Sequence, residues 1–272
     1  TATSDALFFD ANGDGLVDLY LVKGGYHDFE RDSPELADQL YINQGAGNFK
    51  KEEDALPNIK NSGSVVKAVD FDKDGDLDLF IGGRVIPGQY PKPASSQILI
   101  NDGNGKFEDH SETLLPELNA LGMVTDAAWL DLNKDGWEDL VIIGDWMPIS
   151  VYLNNKGQSL SNHTAQYFDK PLVGKWSKLS TGDFDGDGDL DFVVGNFGNN
   201  SQLKASEERP LTLVYADFDG NGSVDPILNN FIDGGLVPFM SRDELLDQMY
   251  GMRSKFTDYA SFSKAKLKDL FS

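Results

Sequence analysis

Residues 64–81 read SVVKAVDFDKDGDLDLFI, and this stretch decides the fold of the chain. An apolar run leads into the phrase D-x-[DN]-x-[DN]-G-x-x-D, here Asp70–Asp78, and a second apolar run follows directly. Both runs are short and rich in β-branched and aromatic residues, which favour strands, whereas Asp, Asn and Gly favour turns. The stretch therefore predicts two antiparallel strands joined by an acidic loop.

The same nine-residue phrase occurs five times in the 272-residue chain. The copies, called loops one to five below, are Asp10–Asp18, Asp70–Asp78, Asp131–Asp139, Asp183–Asp191 and Asp217–Asp225. Self-similarity of this kind predicts a modular fold built from repeated supersecondary units.

A second hairpin follows the first in three of the repeats. Apolar runs at 39–43, 97–101 and 150–154 lead into turns rich in Asn and Gly, which is a short hairpin signal. Two hairpins make four antiparallel strands, and four strands per repeat is the pattern of a β-propeller blade. A solenoid is the main alternative, although its repeats are usually shorter and use parallel strands.

The sequence thus predicts an all-β fold, a β-propeller of four-stranded antiparallel blades, over residues 1–235. Loop five follows loop four by only 34 residues. It either joins strands three and four of the fourth blade, with 209–216 as strand three, or opens a fifth blade. Four to five blades are therefore present, and because open blades expose sheet edges, we expect further blades in the parent protein.

Residues 236–272 are predicted to form a helical insert or extension that packs on the propeller. Ser241 and Glu244 have the spacing of a capping box, and apolar residues recur at helical spacing from Leu245 to Tyr259. A second short helix is expected around Leu267 and Leu270.

The acidic loops have the spacing of a calcium site. Oxygen ligands at alternate positions around a glycine suit calcium, but an EF-hand also needs a Glu at position twelve, where this chain has only apolar residues. The side chains at positions one, three, five and nine and the main-chain carbonyl at position seven are the expected ligands. These are Asp10, Asn12, Asp14, Leu16, Asp18; Asp70, Asp72, Asp74, Asp76, Asp78; Asp131, Asn133, Asp135, Trp137, Asp139; Asp183, Asp185, Asp187, Asp189, Asp191; and Asp217, Asp219, Asn221, Ser223, Asp225. We expect up to five Ca²⁺ ions, with the fifth site the weakest case.

Composition excludes several partners. A net charge of −22 argues against nucleic acid and anionic membrane surfaces, and there is no cysteine for disulfides or thiolate chemistry. No apolar run is long enough to span a membrane.

The loops resemble FG-GAP/VCBS repeats, which also build integrin α-subunit propellers. The pattern Leu40-Tyr-Ile-Asn43…Gly45-x-Gly47-x-Phe49, with 82–91, 145–148 and 199–206, is similar to bacterial VCBS proteins related to the ASPIC/UnbV and cartilage acidic protein group. The resemblance implies a seven-bladed ring in the intact protein, export to the periplasm, outer surface or medium, and a binding or adhesive role. This chain holds too few repeats for seven blades.

A ligand is expected at the end opposite the acidic loops, where the connections between strands two and three emerge. Arg84, Tyr90 and Trp146 lie in these connections, Trp146 in the segment 145–149, and suit a glycan or protein ligand. The predicted function is a non-catalytic, calcium-binding extracellular module that binds or adheres. The alternatives are a polysaccharide-processing enzyme or its accessory domain, and a structural spacer.

Overall fold

The computed structural model describes residues 2–26, 29–198 and 200–271. The fold is all-β: every strand pairing among these residues is antiparallel, in four sheets of three to six strands with a few short helices. By contact density the chain divides into two compact units, one of residues 1–88 and 92–196 and one of 89–91 and 197–272. The boundary predicted at residue 235 stays a prediction, and the second unit holds the helical segment together with the last sheet.

Sheets one and two are four-stranded meanders with the strand order of the sequence. Sheet one contains β1 (Thr3–Phe9), β2 (Asp18–Lys23), β3 (Gln39–Asn43) and β4 (Phe49–Glu52). Sheet two contains β5 (Gly63–Val69), β6 (Asp78–Gly83), β7 (Gln97–Asn101) and β8 (Phe107–Asp109). In both sheets the acidic phrase joins the first two strands and the Asn/Gly turn joins the last two, which confirms the predicted hairpins.

Sheet three has six strands because its second strand is unusually long. Its strands are β9 (Met123–Leu130), β10 (Asp139–Pro148), β11 (Ser150–Asn154), β12 (Leu160–Asn162), β13 (Val173–Gly182) and β14 (Asp191–Asn196). The first part of β10 pairs with β9 and β11, and its last residues pair with β13. The loop expected at 145–149 is therefore wrong, because the backbone there continues β10 as far as Pro148.

Short helical turns follow the outer hairpins of sheets two and three: the helices α1 (Ser111–Leu114) and α2 (Thr164–Tyr167) and the 3-10 helix Pro116–Ala120. A further 3-10 helix, Pro34–Leu36, lies between β2 and β3. Among the described residues, no helix has the length and apolar character that crossing a membrane requires.

The first strands of successive repeats, β1, β5, β9 and β13, are linked by hydroxyl groups. In each link, a Ser or Thr hydroxyl on one of these first strands donates to a carbonyl of the next. The links are Ser4 Oγ to Gly63 O (2.9 Å), Ser64 Oγ to Val124 O (2.7 Å) and Thr125 Oγ1 to Trp176 O (2.8 Å). Strands β1, β5, β9 and β13 therefore lie in succession, each against the next.

A buried carboxylate reinforces this row of first strands. Asp126 on β9 is fully buried, and its oxygens lie 3.1 Å from Lys67 Nζ on β5 and 2.8 Å from Lys178 Nζ on β13. Burial alone would raise the pKa of Asp126, but the Lys178 ammonium, the Leu179 N–H and the Lys67 charge hold the pKa below its usual value. The ion pairs thus connect three neighbouring first strands.

The second unit forms a sheet of its own around loop five. β15 (Thr212–Ala216), β16 (Asp225–Ile232) and β17 (Gly235–Pro238) pair in that order, and loop five joins β15 to β16. Loop five therefore joins two antiparallel strands, as both interpretations of it predicted, and whether it completes the fourth repeat or opens a fifth stays a prediction.

The helical segment packs on this last sheet through an apolar core. It contains α3 (Arg242–Gln248), a 3-10 helix Tyr250–Ser254, α4 (Tyr259–Phe262) and α5 (Leu267–Leu270). The capping box of Ser241 and Glu244 is formed, as predicted. The buried core consists of Ile227, Leu245, Met249, Phe256, Ala265 and Leu270.

Candidate metal centres

Each acidic loop turns through two residues in the left-handed backbone region. The glycine at position six has a φ between 81° and 101° in all five loops, where a Cβ would be strained. Position four also has positive φ, at Gly13, Lys73, Lys134, Gly186 and Gly220. The sequence reasoning missed position four, although glycine at three of its five occurrences was a usable signal.

Alternate side chains in each loop are fixed by the loop backbone. The position-three oxygen accepts a hydrogen bond from the N–H of position five, and the position-five oxygen accepts one from the N–H of position seven. In loop two these bonds run from Asp74 N–H to Asp72 Oδ1 (3.3 Å) and from Asp76 N–H to Asp74 Oδ1 (3.0 Å). The other four loops contain the same two bonds. The oxygens are therefore held in one arrangement by the loop itself.

The aspartate at position one accepts different hydrogen bonds in loop two than in the other four loops. In loops one, three, four and five both oxygens of this aspartate accept backbone N–H groups, as Asp10 does from Gly13 (2.9 Å) and Gly15 (2.8 Å). In loop two, Asp70 Oδ1 is buried without a hydrogen-bond partner. A buried carboxylate oxygen without a partner is costly, so a cation would satisfy a group that this chain leaves unsatisfied.

Three loops bring carboxylates close enough to share one ion. The clusters, in each of which one oxygen per residue lies within 4.8 Å of the others, are Asp70, Asp72 and Asp74; Asp183, Asp185 and Asp187; and Asp217, Asp219 and Asp225. Loops one and three carry Asn12 and Asn133 at position three, so their second oxygen comes from an amide. The acidic loops can thus hold metal ions with oxygen ligands alone.

The carboxylates of loop two repel one another electrostatically in the absence of a cation. Burial and the neighbouring Asp74 charge raise the pKa of Asp72. Burial raises the pKa of Asp78 to about 7, against two backbone N–H donors that lower it, and Asp72 and Asp74 raise it further. A bound cation would favour the ionised forms of all these groups.

The closing aspartate at position nine has a second role that the sequence did not reveal. Its Oδ2 accepts the N–H of position two in every loop, as in Phe71 N–H to Asp78 Oδ2 (3.0 Å). In loops one to three its Oδ1 also accepts the N–H of the asparagine that ends the third strand: Asn43 to Asp18 (2.7 Å), Asn101 to Asp78 (2.9 Å) and Asn154 to Asp139 (2.8 Å). The closing aspartate therefore joins loop, second strand and third strand, and the recurrent asparagine was the overlooked signal.

These asparagines also connect neighbouring loops. Asn101 Nδ2 donates to Leu77 O in its own loop (3.3 Å) and to Ala11 O in loop one (2.8 Å). Asn154 Nδ2 likewise donates to Glu138 O (3.2 Å) and to Phe71 O in loop two (3.1 Å). Loops one to three thus lie side by side at one end of the first unit.

Lysines at position four extend these contacts to loop four. Lys73 Nζ lies 4.4 Å from the Trp137 ring centroid in loop three, and Lys134 forms an ion pair with Asp189 in loop four. Each lysine therefore reaches position seven of the next loop, which puts loops two, three and four in a row.

The expected ligand residues Arg84 and Trp146 are brought together through charged neighbours. Arg84 forms an ion pair with Asp145, and its Nη1 donates to Met123 O (3.0 Å). Lys175 Nζ lies 3.5 Å from Asp145 Oδ1 and 5.2 Å from the Trp146 ring centroid. The sequence reasoning missed Asp145 and Lys175. Tyr90, the third expected ligand residue, falls in the second compact unit.

Taken together, the sheets and loops define a class of β-sheet repeat protein with an acidic oxygen-rich loop in every repeat. The FG-GAP-like repeat family model matches residues 10–81 and 131–194, half of the chain. The chain therefore belongs to the FG-GAP-like repeat family, and the matched segments contain loops one to four. No curated protein matches the chain.

Proposed function

We propose that the chain is a calcium-stabilised module of an exported or cell-surface protein, and that it binds a glycan or protein ligand without catalysis of its own. The observation that carries the calcium assignment is Asp70 Oδ1, a buried and unpartnered oxygen beside Asp72 and Asp74. Calcium fits better than magnesium, because magnesium prefers to keep several waters in an octahedral shell.

The proposed architecture is part of a β-propeller. The row of first strands β1, β5, β9 and β13, joined by hydroxyl bonds from repeat to repeat, supports a radial arrangement in which first strands lie innermost. The loops at one end would then be the calcium-binding end, with ligands at positions one, three, five, seven and nine as the sequence predicts.

The binding role rests on the contrast between the two ends of the repeats. Rigid strands that hold irregular connections at one end are a common platform for recognition. Arg84, in the connection after β6, lies at this end beside Asp145 and Lys175, and Lys175 lies over the Trp146 indole; Asp145 and Trp146 belong to β10 and Lys175 to β13. We place the ligand at this end, away from the acidic loops.

Thermal unfolding in calcium and in EGTA tests the calcium proposal. A ligand at a thousandfold excess over its Kd adds about 4 kcal/mol per site, which corresponds to about 10 °C in a domain of this size. We expect EGTA to lower the Tm by at least that amount and magnesium to restore little of it. An unchanged Tm, with no calcium found by elemental analysis of the purified protein, would refute the proposal.

A glycan array and a hydrolase and lyase screen, both in calcium, test the binding role. Sugar binding without turnover is expected. Cleavage of a polysaccharide would show instead that the chain belongs to a polysaccharide-processing enzyme.

A further inference from the structure

A polar cleft lies at the end of the first unit opposite the acidic loops. It encloses about 640 Å³ of empty space, part of it open to solvent, between the connections that follow β2 and β6 and those that precede β5 and β9. It is lined by Arg31, Asp32, Lys60, Asn61, Ser62, Ile86, Pro87, Pro93, Ala94, Ser95 and Asn119. Since strands β5 and β9 begin where β2 and β6 end, all these segments emerge at the same end.

Hydrogen bonds between the connections fix the walls of the cleft. Asn61 Nδ2 donates to Ser95 O (3.2 Å), and Ser95 Oγ donates to Asn119 O (3.4 Å). Lys60 is held through an antiparallel β-bridge to Ala37. The cleft is therefore preformed by contacts between these connections, which reduces the cost of ordering it on binding.

The charge of the cleft is unlike that of the rest of the chain. Lys60 is half-buried, and within the described part of the chain its ammonium has neither an ion-pair partner nor a hydrogen bond. Arg31 lies at the same cleft, 3.8 Å from the exposed Asp32. In a chain of net charge −22, a lysine that lines a cleft without a carboxylate partner among the described residues points to an anionic group supplied from outside.

We propose that this cleft binds the carboxylate of a uronic acid within a saccharide, with Lys60 as the cation that receives it. The inference rests on the proposed binding function and names its ligand class and place. A single ammonium suits a singly charged carboxylate, whereas sulfate and phosphate groups are typically held by arginine forks. The amide of Asn119 and the hydroxyl of Ser95 suit sugar hydroxyls, and Pro93 offers an apolar surface to the ring.

Calorimetric titration of the calcium-loaded chain with a hyaluronan tetrasaccharide, which carries glucuronate carboxylates, tests the proposal. Its carboxyl methyl ester is the neutral analogue of the same shape. We expect the ester to bind at least about tenfold more weakly, since the charge-assisted bond is lost. Binding of the acid should also weaken with added salt.

Variants locate the site. Lys60→Gln, which keeps a polar side chain of similar length, should weaken binding of the acid about tenfold and leave binding of the ester unchanged. Lys106→Gln is the control, because Lys106 is exposed on the Asn/Gly turn at the acidic-loop end. Unfolding curves in calcium should show that both variants remain folded.

Several outcomes would overturn the proposal. These are no binding of the tetrasaccharide, equal binding of acid and ester, equal weakening by Lys60→Gln and Lys106→Gln, or preferential binding of a hexaglutamate peptide. The EGTA melting shift and the array result do not depend on Lys60. If they hold while Lys60→Gln has no effect, only this assignment fails, and the calcium-dependent binding module stands.

Discussion

The two ends of the first unit differ in whether their hydrogen bonds repeat from sheet to sheet. At the acidic-loop end, sheets one, two and three repeat the same contacts: the closing aspartate accepts one N–H from the loop and one from the third-strand asparagine. At the other end, the last N–H of the second strand is accepted by a different side chain in sheet one than in sheet two. The repeated end is a scaffold, whereas the varied end has the freedom that a binding surface requires.

The varied end shows this difference at corresponding positions. In sheet one, the carboxylate of Asp38 accepts the Lys23 N–H (2.7 Å) and the Tyr20 hydroxyl (2.8 Å). In sheet two, the hydroxyl of Ser96 accepts the Gly83 N–H (2.9 Å) at the matching place. Substitutions that replace one acceptor by the other therefore test whether the two ends differ in this way.

The largest effect is expected at Asp38, through pH. Burial raises the pKa of Asp38 to about 7, against the opposing effect of its hydrogen bonds from Lys23 and Tyr20. The folded chain then holds a proton that the unfolded chain releases above pH ~4, so stability from this group is full at low pH and is lost as pH rises through 7. A shift of about 3 units corresponds to at most about 4 kcal/mol.

Urea unfolding of wild type and Asp38→Ser between pH 4 and 8 measures this effect. The variant has the hydroxyl acceptor that Ser96 provides in sheet two. The pH dependence that comes from all other carboxylates is common to both proteins and cancels when their free energies of unfolding are subtracted. The free energy of unfolding of wild type relative to the variant should fall as pH rises. A difference that stays constant, or grows, would show that Asp38 is ionised in the folded state at acidic pH.

The next largest effect is expected at the repeated end. Asp139→Ala removes a fully buried carboxylate and leaves the N–H groups of Leu132 and Asn154 without their acceptor. We expect a loss of about 3 kcal/mol in EGTA, where metal ligation does not contribute. Asp191→Ala is the matched variant, because among the described residues Asp191 accepts only the Phe184 N–H, in a more exposed loop, and it should cost about 1 kcal/mol.

Equal losses for the two variants in EGTA would mean that the bond to the third strand contributes nothing. If Asp139→Ala lowered the free energy of unfolding only in calcium, Asp139 would act as a metal ligand alone. Its hydrogen bonds to the loop and to the third strand would then not stabilise the fold.

The repeated end could be predicted from the sequence because its chemistry is local. Strand propensity, turn residues and nine-residue spacing placed β5, loop two and β6 correctly, and the Asn/Gly turns placed β7 and β8. The closing aspartate's bond to Asn101 joins residues 23 positions apart, and no spacing rule in the loop reveals it. Contacts between repeats, such as the hydrogen bond from Asn154 to Phe71, could not be predicted from the sequence for the same reason.

The varied end could be predicted less well because tertiary pairing decides it. The glycine and proline around Trp146 indicated a loop, but pairing of β10 with β13 extends the strand through this segment, with Trp146 at φ +60° beside a register shift. Asp145 and Lys175 are 30 residues apart and carry no motif, so their ion pair with each other was invisible in the sequence.

A third effect is expected at the Arg84–Asp145 pair, which fastens the connection after β6 to β10. Both side chains are partly buried, at 31% and 14% exposure, so Arg84→Ala should cost about 2 kcal/mol, less than for a fully buried pair. A double-mutant cycle with Asp145→Ala isolates the coupling between them. The exposed pair Lys50–Glu52, 3.3 Å apart, is the control and should couple by about 0.5 kcal/mol or less.

Coupling no larger than in the control would free Arg84 for a ligand, and its substitution should then change glycan or protein binding without changing stability. Strong coupling with unchanged binding would make Arg84 and Asp145 a structural fastening, and would leave the cleft around Lys60 as the binding part of this end.

The smallest effect is expected from the asparagines that end the third strands. Asn101 Nδ2 donates to its own loop and to loop one, whereas Asn43 Nδ2 donates, within the part of the chain that the structure describes, only to Val17 O in its own loop (3.0 Å). Each lost bond is worth about 1 kcal/mol, and Asn101 is buried whereas Asn43 is only half-buried. Asn101→Ala should therefore cost about 1 kcal/mol more than Asn43→Ala in urea unfolding. If the two losses were equal, the bond from Asn101 to Ala11 would not stabilise the fold, and the repeated end would be a set of separate loops rather than a continuous scaffold.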